Sequence, residues 1–258
     1  MKIQLLPSTF DKNGCASARQ HLACFVIDDC VAIDAGSLAM AATNEQKNLI
    51  RDIILTHAHL DHIAGLPLFV DDLFASLEEP IRVFATSEVI ETIERDIFNW
   101  EIYPNFSELT NQNGEVLQYH TFETGDNFSV KHLNIKSVNV NHKVPTVGFI
   151  ISDNKASFAF SSDTSETDDF WNVVNAEENL SALLIECAFP DELEDLAQVS
   201  HHLTPKMLYN ELSKFNCKNC PIYVINIKPM YFEEVVRQVG KLEIENLDIF
   251  QVGKVYDL

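Results

Sequence analysis

The chain has 258 residues, 46% of them hydrophobic, which is enough for one large domain over residues 1–258 with an ample core. Lysine and arginine number 18 against 39 aspartates and glutamates, a formal charge of −21 whose field repels long polyanions and anionic membranes. No apolar run approaches the roughly 18 residues of a membrane span, and Met1-Lys2-Ile3-Gln4-Leu5-Leu6 is too short for a signal segment, so a cytoplasmic protein without membrane or nucleic-acid partners is expected.

In chain order, residues 2–6, 22–27 and 30–34 read as opening strands, with Asp28-Asp29 as a hairpin turn and Asp34-Ala35-Gly36 ending the third. A helix over 40–49 leads to the buried strand Ile53 to Leu55 and then to Thr56-His57-Ala58-His59-Leu60-Asp61-His62. Residues Ile63 to Phe74 carry apolar side chains at helical spacing, Ile81 to Phe84 is a short strand, and Ser87 is the expected cap of a helix reaching about Phe98. Between Trp100 and Gly114 the pattern is lost, so that segment is either a lid or a packed connection. Strands follow at 116–120, 127–131, 133–140, 146–151 and 156–160, the last after the turn Asp153-Asn154-Lys155. Six scattered cysteines suit a reducing compartment, and Cys217 and Cys220 read as loop cysteines before the strand Pro221 to Ile225.

The histidine-rich stretch is a metal site in outline. Alternate residues leaving a strand turn to one side, so His57 and His59 can hold one ion together, while Asp61 and His62 enter a helix and can face a second. Imidazole and carboxylate suit zinc, iron or manganese, and an ion with open positions polarises water. Later in the chain His142 follows the alternating strand Leu133 to Val140, and Asp163 follows Ser157 to Phe160.

The stretch resembles the His-x-His-x-Asp-His signature of the metallo-β-lactamase superfamily, which implies a four-layer αββα sandwich, two mixed sheets flanked by helices, carrying a binuclear centre. The resemblance assigns His57, His59, His142 and Asp163 to one divalent ion and Asp61, His62 and Asp163 to the other. Zinc is the expected metal, with manganese or iron as alternatives. Asp34 stands where the superfamily buttresses the metal loop, or is an ordinary turn residue. The superfamily's last ligand is a histidine, and here that place holds Asn226, whose neutral carbonyl would make the second site weak.

Three further blocks, Ile185 to Pro190, Ser200 to Pro205 and Ile227-Lys228-Pro229, resemble class II cyclic nucleotide phosphodiesterases, and the first two also resemble tRNA 3′-processing endonucleases. Carried over, His202 would protonate the leaving oxygen, with His201 as the neighbouring alternative, Glu186 would orient it, and Asp61 would also orient the attacking hydroxide. The expected function is hydrolysis of 3′,5′-cyclic AMP or a related small anionic cyclic nucleotide. Hydrolysis of another small ester, or metal sensing with a degenerate second site, stands as the alternative. Members of this family frequently form homodimers.

Overall fold

The protein is described over residues 1–258 by a computed structural model. Seven strands form the first sheet, in the order Val255–Asp257, Lys2–Leu5, Phe25–Ile27, Val31–Ile33, Asp52–Ile54, Ile81–Ala85 and Leu117–Thr121. Pairing is antiparallel up to Val31–Ile33 and parallel beyond it. The second sheet runs Leu247–Ile249, Ile222–Ile225, Ala182–Glu186, Ser157–Phe160, Val147–Ser152, Leu133–Asn139 and Asn127–Val130. Its first four strands are parallel and the remainder antiparallel.

Strand alternation builds the layers. Ile53 and Leu55 face the helices of the first sheet and pack with Leu66, Phe69 and Val70. Ile54 points the other way, into a core where Phe25 and Ile33 meet Phe149, Phe158 and Phe160 from the second sheet. Leu183, Ile185 and Val224 then face a third core with Phe170, Trp171 and Leu208 on the outer helices. Three cores between four layers make the expected αββα sandwich.

Several boundaries differ from the sequence reading. Strand 22–27 shortens to Phe25–Ile27. The helix expected over 40–49 is two, Leu38–Ala41 and Asn44–Leu49, because Thr43 and Gln46 form a capping box that starts the second anew. Thr86, not Ser87, stands at the N-cap of the helix Ser87–Asp96. Helical structure after the metal stretch begins at Leu60, inside the motif, and continues through Gly65–Leu73. Segment 100–114 is a packed connection: Phe106 is buried in the first core, and the Tyr103 hydroxyl donates to Asp71.

Among the non-glycine residues with left-handed backbone, Asp34 (φ 58°), Ser162 (φ 57°) and Asn226 (φ 57°) follow strands that lead into the histidine and aspartate cluster. Each turns the chain sharply at the carboxyl end of a strand, where open α/β sheets present their ligands. Gly36 is fixed by contact, since a Cβ there would lie 2.0 Å from the Asp61 carbonyl oxygen. The turn after Asp34 thereby packs directly under the metal stretch.

Candidate metal centre

The strand Asp52–Ile54 and the helix beginning at Leu60 are so close that the connecting loop carries His57 and His59 while the first helical turn carries Asp61 and His62. Asp34 holds this loop from below. Its carboxylate accepts the Thr56 backbone N–H at 2.9 Å, the Thr56 hydroxyl at 3.0 Å and His62 Nδ1–H at 2.6 Å. Burial pushes the Asp34 pKa up, against the pull of His62. Of the two roles open to Asp34 in sequence, the contacts are those of a buttress.

Because carboxylates and carbonyls only accept, the network fixes the imidazole tautomers. His62 Nδ1–H donates to Asp34, and His142 Nδ1–H donates to the His201 carbonyl at 2.9 Å. Thr56 gives its hydroxyl proton to Asp34 and so receives one from His57 Nδ1 at 2.9 Å. All three rings therefore turn Nε2 toward the centre.

Ligand atoms of His57, His59, His142 and Asp163 lie within 4.8 Å of one another, as do those of Asp61, His62 and Asp163. Asp163 Oδ2 stands between the groups, 4.0 Å from His57 Nε2 and 3.5 Å from His62 Nε2. His57 Nε2 is buried with no hydrogen-bond partner, a cost of roughly 1–3 kcal/mol that a coordinated cation would remove. Burial holds His57 well below the usual histidine range, lowers His59 and takes His142 to about 4, so these three are neutral ligands near pH 7. The first group thus fits a divalent ion. His62 differs: burial lowers its pKa, but Asp34 and Asp163 outweigh it and hold the ring protonated, so a cation arriving there would release a proton.

Glu186 and His202 form a second station beside the first. Glu186 is fully buried, and its Oε1 accepts from His202 Nδ1 at 2.8 Å and from the Thr164 backbone N–H at 3.1 Å. The His202 ring centroid lies 5.0 Å from that of His142. His201, at φ 57°, ends the helix Glu194–Ser200 and sends its own ring outward to Asn141. Its neighbour His202 consequently points inward.

Asn226 donates Nδ2–H to Asp163 Oδ1 at 2.6 Å. Lys228, to which sequence reasoning gave no role, places Nζ 3.1 Å from Asp61 Oδ2. The signal was the block Ile227-Lys228-Pro229, but its partner lies 167 residues away. A cleft opens beside Asp61, His62, Asp163 and Lys228 and is walled by Leu22, Phe232, Phe250 and Val252.

Asp34→Asn leaves one accepting oxygen where two serve Thr56 and His62, so one of the two loses its acceptor to an amide nitrogen that can only donate. Zinc affinity measured against a competing chelator should fall by roughly 10–100-fold, the usual effect of removing a partner that orients a ligand. Unchanged affinity would contradict the buttressing role.

A family model described as a β-lactamase superfamily domain matches residues 29–215. A probable 3′,5′-cyclic-nucleotide phosphodiesterase of Yersinia pestis is 24% identical over 218 residues, 70% of this chain and 58% of that protein. A 3′,5′-cyclic-nucleotide phosphodiesterase of Aliivibrio fischeri is 26% identical over 187 residues, 65% of this chain and 54% of the relative. The chain thus spans little more than half the length of these relatives. Among solved structures, unliganded yeast PDE1 superposes with a TM-score of 0.77 at 15% identity, covering 100% of this chain and 99% of that one, a likeness of fold.

Proposed function

The chain belongs to the β-lactamase superfamily, and from that premise we propose that it is a metal-dependent phosphodiesterase opening 3′,5′-cyclic AMP or a related cyclic nucleotide. The observation that carries the reading is the Glu186 and His202 station set against the histidine and aspartate cluster. Hydrolysis of a phosphodiester needs electrophilic help at phosphorus and a proton for the departing alkoxide, and the two stations divide that work. A thioester, whose thiolate leaves without a proton, would have no use for the second.

His57, His59, His142 and Asp163 would hold the divalent ion, zinc on this nitrogen-rich donor set, which when bound supplies Lewis acidity toward phosphate and water. The protein's own groups do the rest. Asp61 lines the cleft and can orient the attacking water. As the water oxygen adds to phosphorus, its proton passes to the Asp61 carboxylate and on to solvent. As the P–O ester bond breaks, the proton on His202 Nε2 passes to the leaving oxygen while Nδ1–H stays on Glu186. Burial lowers the His202 pKa, but the Glu186 carboxylate outweighs it and the net shift is upward, which keeps the acid form present near neutrality. The apolar walls Phe232 and Phe250 would receive the nucleoside away from the chemistry.

Product identification across a panel tests this reading. With 3′,5′-cyclic AMP, a lactone, a thioester and a labelled tRNA precursor at low salt, the nucleoside monophosphate is the expected product. Preferential turnover of any other member would replace the proposal. The charge of −21 is what ranks the RNA last.

A further inference from the structure

We infer that the Lys228 ammonium and the Asn226 amide stand where a second cation would sit, so that the centre is built for one divalent ion and Lys228 meets the phosphate on the other side. The part concerning phosphate rests on the phosphodiesterase reading; the ion count does not.

The two groups of donors are unequal. The first offers three imidazoles and a carboxylate, with His57 Nε2 buried and unpartnered. In the second, both carboxylates are engaged by positive hydrogen atoms: Asp163 Oδ1 accepts from Asn226 Nδ2 at 2.6 Å and Asp61 Oδ2 from Lys228 Nζ at 3.1 Å. A divalent ion entering there would displace an amide N–H and lie beside a fixed ammonium, a like-charge contact in a half-buried site. An imidazole at position 226 could aim a lone pair at such an ion. Asparagine anchored through Nδ2 presents its hydrogen atoms instead.

Backbone geometry holds both residues in place. Asn226 sits at φ 57°, a conformation that asparagine and histidine tolerate better than most residues. The Lys228 backbone N–H donates to the Ala188 carbonyl at 3.1 Å, fixing where its side chain departs. Its ammonium has three N–H groups, one on Asp61, and it lines the cleft with Asp61, His62 and Asp163. The remaining donors can meet a non-bridging phosphate oxygen, a charge-assisted contact from a group already positioned.

Elemental analysis and calorimetric titration with zinc test the count on the full chain. The native protein should bind about one zinc ion per chain, and the double variant Asn226→His, Lys228→Met about two. The left-handed backbone at 226 accepts histidine, which limits the risk that the variant fails to fold, and circular dichroism checks that it does not. Lys228→Met alone should raise KM for cyclic AMP on the order of 10-fold or more, as loss of one charge-assisted hydrogen bond would, with Lys228→Arg restoring most of it. One ion per chain without turnover of any cyclic nucleotide would support the count while removing the phosphodiesterase reading. Two tightly bound ions in the native protein would overturn the inference.

Discussion

Asp163→Asn should lower kcat/KM for cyclic AMP by well over 100-fold and strip the bound metal, although the side chain keeps its size. Removing a group that merely orients a ligand costs roughly 10–100-fold, so removing the carboxylate common to both donor groups should cost more. The buried site supplies the reason. Burial raises the Asp163 pKa, but His62 beside it outweighs this and holds the carboxyl well below the usual carboxylate range, so the group is an anion near neutral pH. Its neutral substitute takes away the negative charge that faces the His62 ring at 3.5 Å. Metal content and kcat/KM measured on one preparation check this, and a metal-replete, active Asp163→Asn protein would remove Asp163 from the centre.

His202→Ala is the second large effect, and it should separate chemistry from metal binding. Loss of a general acid typically costs about 10²–10⁴-fold in rate, and His202 belongs to neither group of clustered donors. Metal content should therefore stay at the native level while kcat falls. Glu186→Gln sharpens the assignment, because the amide carbonyl can still accept from His202 Nδ1 while the charge that raises its pKa is gone. The acid form of His202 is lost as pH rises through its pKa, which sets the alkaline limb of the rate profile. With the carboxylate removed that pKa falls, so the limb should move to lower pH. A limb that stays in place would assign it to another group.

The metal stretch was legible because its logic is local. His57, His59, Asp61 and His62 lie within six residues on a strand, loop and helix whose geometry follows from period and burial. His142 and Asp163 were found differently, by their order after strands in a resembling family, since nothing near them in sequence brings them to His57. The Thr43 and Gln46 capping box is a local signal that divides the span 40–49 into two helices, although the apolar pattern alone reads as one. Lys228 and Asp61 could not have been paired from sequence, because their contact depends on two sheets meeting across 167 residues. The edge strand Val255–Asp257 was missed for the same reason: three residues become a strand only by pairing with Lys2–Gln4 at the far end of the chain. Asn226 shows the limit most clearly. Its identity announced a departure, but only the structure shows an amide hydrogen on Asp163 and an ammonium beside it.

The central claim, phosphodiester hydrolysis at a metal held by this cluster, is tested most directly by turnover of 3′,5′-cyclic AMP with metal per chain determined on the same zinc- or manganese-reconstituted sample, for the native protein and for His59→Ala. Hydrolysis in the native protein, lost together with bound metal in His59→Ala, is the predicted result. A fully metal-loaded native protein that leaves cyclic nucleotides intact, or a His59→Ala protein that hydrolyses them at the native rate, would contradict it.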